Sequence, residues 1–138
     1  MTGRELFEKF REQASDGSRG LVVVPTHVRA MDLFMEAAPA AEESGGCLAV
    51  ASKAEIRDAS RDLILYFRHG QGSDWMKFAG HRVQWLYLMD VDEEMSGYLE
   101  TRLRASIASD LWLNGERYDL TMDQIAADTL RNAAAMGG

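Results

Sequence analysis

An α/β fold, a three-layer sandwich with a mostly parallel central sheet, follows from three features of the sequence. Leu21–Val24 is a short β-branched run with no polar residue, and Val83–Met89 is apolar on both faces, the pattern of strands buried on two sides. Segments with helical spacing alternate with such runs in the order helix, strand, helix, strand, hairpin, strand, helices, as βαβ units do. The 138 residues show no internal repeat, linker or break in composition, so residues 1–138 form a single α/β domain.

Each element has its local reason. Thr2-Gly-Arg-Glu5 has capping-box spacing, and Leu6, Phe7, Phe10 and Ala14 recur behind it at helical intervals. Asp16-Gly17-Ser18 ends that helix and Leu21–Val24 is the first strand. Pro25 closes the strand for want of a ladder donor, and Thr26 caps a second helix with Val28, Met31, Phe34, Met35 and Ala38 on one face. Pro39 is expected to stop it. The crossover rule places this helix on a sheet face between parallel strands.

Cys47–Val50 is a second short strand, and Ser52-Lys-Ala-Glu55 repeats the capping-box spacing ahead of about two turns of helix. Leu63–Phe67 and Trp75–Phe78 read as one hairpin around the glycines of Arg68–Asp74. Val83–Met89 is the strongest strand. Beyond it Leu99, Leu103 and Ile107 are spaced by fours, which predicts a helix, and Asn114-Gly115 marks a turn. Thr121–Gln124 caps a last helix carrying Met122, Ile125, Ala126, Leu130 and Ala133.

Composition narrows the function. Fifteen Lys and Arg face 22 Asp and Glu, a net charge of −7, which argues against a surface that grips nucleic acid everywhere but leaves room for a local basic patch. The lone Cys47 excludes an internal disulfide and fits a reducing compartment, the cytoplasm. No apolar run reaches membrane-spanning length and no signal-peptide pattern opens the sequence, so no membrane partner is expected.

Binding crevices in parallel sheets lie at the carboxyl ends of strands, here Pro25-Thr26-His27 and Met89-Asp90. Asp90 and Asp92 could hold a divalent ion such as magnesium, although a strand-end Asp more often starts a turn or caps a helix. Met95 stands where a calcium loop needs glycine. His27, His69 and His81 lack the paired spacing of a zinc site, and Cys47 lies in an apolar run that suits a core thiol. Arg57, Arg61, Arg68, Lys77 and Arg82, with Tyr66, Trp75 and Trp85 interleaved, are the candidate nucleic-acid contacts; the alternative is a solvated rim balancing nearby acids.

The order of elements resembles the ATPase core of P-loop motors acting on DNA, above all the large terminase subunits of tailed phages and, second, helicases. Val22-Val-Val-Pro25-Thr26 with the helix after it resembles the strand-and-threonine segment following the nucleotide-binding helix in those proteins. Leu63–Phe78 resembles the terminase hairpin, and Gly80-His-Arg82 with Val83–Asp90 resembles the approach to the Walker B strand, which puts Asp90 at the magnesium position. The likeness spans roughly residues 2 to 95 and implies a P-loop NTPase-like fold. It departs in two places. The 138 residues contain no G-x-x-x-x-G-K-[ST], whose amides and lysine hold the β and γ phosphates, and Val91 rather than Glu follows Asp90. The strand-proline-threonine segment and Asp90-Val-Asp92 also resemble the first strand and D-x-D motif of sugar-nucleotide glycosyltransferases, without the intermediate acidic motif.

The expectation is a non-catalytic interaction or adaptor protein, phage-encoded and working in the host cytoplasm. It associates with itself or another protein, with Leu99, Leu103 and Ile107 as a candidate interface and no required cofactor. A nucleic-acid-binding accessory role and a metal-dependent nucleotide or sugar-nucleotide enzyme using Asp90 and Asp92 are the alternatives.

Overall fold

In a computed structural model, described for residues 1–69, 83–91 and 107–119, the chain is α/β: two helices and a seven-stranded mixed sheet. The elements are α1 (Gly3–Gln13), β1 (Arg19–Val24), α2 (His27–Glu43), β2 (Cys47–Val50), β3 (Glu55–Asp58), β4 (Leu63–His69), β5 (Val83–Leu88), β6 (Ile107–Leu113) and β7 (Glu116–Asp119). Their order across the sheet is β2-β3-β4-β1-β5-β6-β7. The inner four, β4, β1, β5 and β6, run parallel, and the outer strands pair antiparallel.

β1 occupies the centre because its sequence tolerates burial on both faces: Leu21 through Val24 are all 0% exposed. Val22 and Val24 face the helices with Leu65, Phe67 and Trp85, whereas Leu21 and Val23 join Val83 and Leu86 in a cluster on the opposite face. Both described helices lie on the first face. α1 begins with the expected capping box, Thr2 Oγ1 accepting from the Glu5 amide at 3.1 Å and Glu5 Oε1 from the Thr2 amide at 3.0 Å. Its Leu6, Phe7 and Phe10 are buried, and Phe10 meets Trp85 edge-on at 5.4 Å. α1 rests so closely on α2 at Gly3 that a Cβ there would stand 1.8 Å from the Leu33 carbonyl oxygen, which excludes any larger residue without backbone movement.

Several expectations need correction. α2 does not stop at Pro39 but runs through it to Glu43, since Ala37, Ala40 and Ala41 stay buried on the core and hold the last turn in place. Ser52–Glu55 is no helix. A single 3₁₀ turn at Ala51–Lys53 and a left-handed Ala54 (φ 45°) lead directly into β3. The buried alternation of Ile56 and Asp58 in β3 fits a strand and not a helical face. β4 takes β1 and β3 as its neighbours, and both its edges are filled along Ile64–Tyr66; Trp75–Phe78 lies outside the described residues. Ile107, expected on a helix, begins β6, because the segment through Leu113 pairs in parallel with β5, Ile107 beside Val83 and Leu113 beside Leu86. Leu99, Leu103 and the segment 121–133 lie outside the described residues. Asn114-Gly115 makes the expected turn, joining β6 to β7.

Candidate functional site

The parallel register brings the two expected strand ends together. Val23 pairs with Leu88, and the Met89 amide donates to the Val23 carbonyl at 3.0 Å, so Pro25-Thr26-His27 stands beside Met89-Asp90. β1 is also where the chain order reverses, with β4 on one side and β5 on the other, the position at which open α/β sheets form their crevice. Thr26 spends its hydroxyl as a cap, accepting from the Arg29 amide at 3.2 Å. Asp90 is exposed and sits in left-handed backbone (φ 57°), a conformation Asp tolerates and one that ends the strand. Asp92 lies outside the described residues. Among the described residues no three His, Cys, Asp or Glu side chains converge as metal ligands.

A cleft of about 700 Å³ opens at the carboxyl end of β4, between the start of α2 and the 3₁₀ turn. His27 and His69 form part of its wall, their rings edge-to-face at 5.3 Å. The contact follows from register: Val24 pairs with His69, so the first residue of α2 lands over the last of β4. Lys53, Arg57 and Arg68 also line the cleft, with Glu55 as their acidic counterpart. Arg57 Nη2 donates to the buried Glu55 at 2.9 Å. Arg68 lies over the Tyr66 ring at 5.3 Å and donates from Nη1 to the Phe67 and Ala54 carbonyls at 2.8 and 3.3 Å. This is a locally cationic, aromatic-edged surface in an acidic chain.

The five basic residues of the sequence therefore do not act as one patch. Arg57 and Arg68 share the cleft. Arg61 is at the other end of the sheet, donating to the Arg11 and Ala14 carbonyls at 2.7 Å each and to Asp16 at 2.7 Å, where it closes the end of α1. Lys77 and Arg82 lie outside the described residues. Lys53 and the His27–His69 contact had no signal in the sequence, because no spacing announces a parallel pairing between distant strands.

A second polar cluster occupies the far end of β3. Asp58 is 2% exposed and accepts from the Ser60 amide and hydroxyl at 3.1 and 2.6 Å, with Arg11 Nε at 3.5 Å. Burial pushes its carboxyl upward, but the Ser60 hydroxyl, the Arg11 charge and the backbone amides of Arg61 and Ser60 outweigh that and hold it below the usual carboxylate range. Cys47, its cross-strand partner, is half-buried rather than a full core thiol. Burial raises its thiol above the ordinary value, the Asp58 charge adds to this and Arg11 opposes it, so the nucleophilic thiolate is disfavoured.

No family model, curated protein or solved structure matches this chain. No helix among the described residues is long and apolar enough to cross a membrane.

Proposed function

We propose that the chain is a non-catalytic interaction protein built on a three-layer, P-loop ATPase-like scaffold, and that it associates with itself or with another protein. The observation that carries the reading is a set of large apolar side chains left in water, two on one face of α2 and one on β2. Val28 and Met35 of α2 are 68% and 62% exposed, and Leu48 of β2 is 62% exposed, in a domain that buries its aromatic and aliphatic core thoroughly. Val28 and Met35 are seven residues apart and so share one face of α2. An apolar helix face left open in this way is one on which a partner can pack.

The adjacency of the β1 and β5 carboxyl ends supports the ATPase-like scaffold. The lack of a phosphate loop in these residues supports the non-catalytic role, since phosphoryl transfer depends on preorganised donors around the phosphates. An assay of ATP turnover by the purified chain with magnesium tests this. The expected result is no turnover above buffer. Hydrolysis that disappears in Asp90→Ala would overturn the reading and favour the metal-dependent enzyme.

One observation favours a second reading, nucleic-acid binding: Arg57 and Arg68 meet Lys53 in a single cleft edged by Tyr66. Phosphate contacts of this kind weaken steeply as salt rises. A gel-shift titration showing salt-sensitive binding lost in Lys53→Glu would support this second reading.

A further inference from the structure

We propose that the cleft at the carboxyl end of β4 binds a small organic phosphate monoester, whose phosphate is held by Lys53 and Arg68. Its volume of about 700 Å³ is that of a site which encloses a small molecule. Three cations, Lys53, Arg57 and Arg68, line it against one acid, Glu55, a surplus of two positive charges in a chain of net charge −7. A phosphate monoester matches that surplus, with a charge of about −1.5 to −2 at pH 7. His27, the first residue of α2, also lines the cleft, where the positive end of the helix dipole adds to the same potential. Ala30, Met31, Ala51 and Ala54 in the lining give the organic group an apolar surface.

The three cations are not equivalent. Arg57 donates from Nε and Nη2 to one oxygen of the buried Glu55, at 3.2 and 2.9 Å, so its charge is largely spent there. Arg68 is held by the Phe67 and Ala54 carbonyls and by the Tyr66 ring, which fixes its charge at the cleft wall before any ligand arrives. Lys53 ends the 3₁₀ turn, is exposed and makes no ion pair among the described residues, so a bound phosphate gives it its counter-charge. The surroundings favour a small molecule over a polynucleotide. Beyond the cleft α2 exposes Asp32, Glu36 and Glu42 and has Arg29 as its one Lys or Arg, a surface that repels the further phosphates of a strand.

Isothermal titration calorimetry of the whole chain with phenyl phosphate at low ionic strength tests the site. Saturable binding is expected, with Lys53→Glu weakening it by about tenfold or more and Lys53→Arg retaining it. Circular dichroism of both variants should stay unchanged, because the Lys53 side chain lies in solvent. Phenyl sulfate, of similar shape but with a single negative charge, and inorganic phosphate, without the ring, should each bind more weakly than the ester. Equal binding of either one overturns the assignment to a phosphate monoester. A chain that takes up no phenyl phosphate, or takes it up equally well as Lys53→Glu, overturns the proposal. Binding of a single-stranded oligonucleotide without phenyl phosphate overturns it in favour of the nucleic-acid reading. The interaction reading fails or stands separately, since Val28, Met35 and Leu48 are not part of the cleft lining.

Discussion

Asp58 shows how one residue binds distant parts of the chain. Its carboxylate closes the β3–β4 turn through Ser60 and faces Arg11 from α1, tying helix to sheet at a buried position. Because its folded pKa is held below the unfolded value, the stability it contributes is present above the unfolded pKa, near 3.9 for an ordinary Asp, and is lost as pH falls through the lower folded pKa. Thermal melts across this acid range should show a falling midpoint that Asp58→Asn flattens. A variant whose acid profile parallels the wild type would show that other carboxylates control the transition. None of this was visible in the sequence, where Asp58 is one of 22 acids and only strand pairing buries it. Thr2 and Thr26 were legible because a cap is a local device, complete within four residues.

Among the elements, α2 is the one whose length the sequence misjudged. Proline inside a helix removes a hydrogen bond and crowds the carbonyl four residues back, at a cost of about 3 kcal/mol. α2 continues past Pro39 because three alanines in its last turns pack on the core, and the Ser44 amide still closes the end on the Ala40 carbonyl at 3.2 Å. Pro39 itself is exposed, so replacing it removes no packing. Pro39→Ala should therefore raise the unfolding free energy by up to about 3 kcal/mol, read from urea denaturation at unchanged m-value. Loss of stability would show that the proline shapes the turn into β2. Short elements misled in another way. Ser52–Glu55 carries a cap-like spacing, yet Ile56 and Asp58 lie on the face that the helices cover and their strand pairs with both β2 and β4, so tertiary pairing outweighs local preference over so few residues.

At the level of the whole molecule, β1 is the keel. It is hydrogen-bonded on both sides and buried on both faces, while β2 and β7 are four-residue edges. Native-state hydrogen exchange should find the slowest amides in β1 and the adjoining residues of β4 and β5, with β2 and β7 exchanging through smaller openings. Equal protection in β2 would contradict this hierarchy. Trp85 links the levels: its Nε1 donates to Gln13 at 2.9 Å, Gln13 donates to the Gly115 carbonyl at 3.2 Å, and α1, β5 and the β6–β7 turn are joined in one chain of contacts.

The sequence alone determined the α/β class, the capped starts of both helices and the four strands at Leu21, Cys47, Leu63 and Val83. Those features are written in nearest-neighbour chemistry or in runs of apolar residues, which any folded arrangement must satisfy. Only the tertiary structure decided that β1 separates β4 from β5, that β3 is a strand, that Arg57 and Arg68 share a cleft with Lys53 while Arg61 closes a helix at the opposite end, and that β2 is left at an edge. Strand order is set by pairings between residues far apart in the chain, and no periodicity within one segment encodes its distant neighbour.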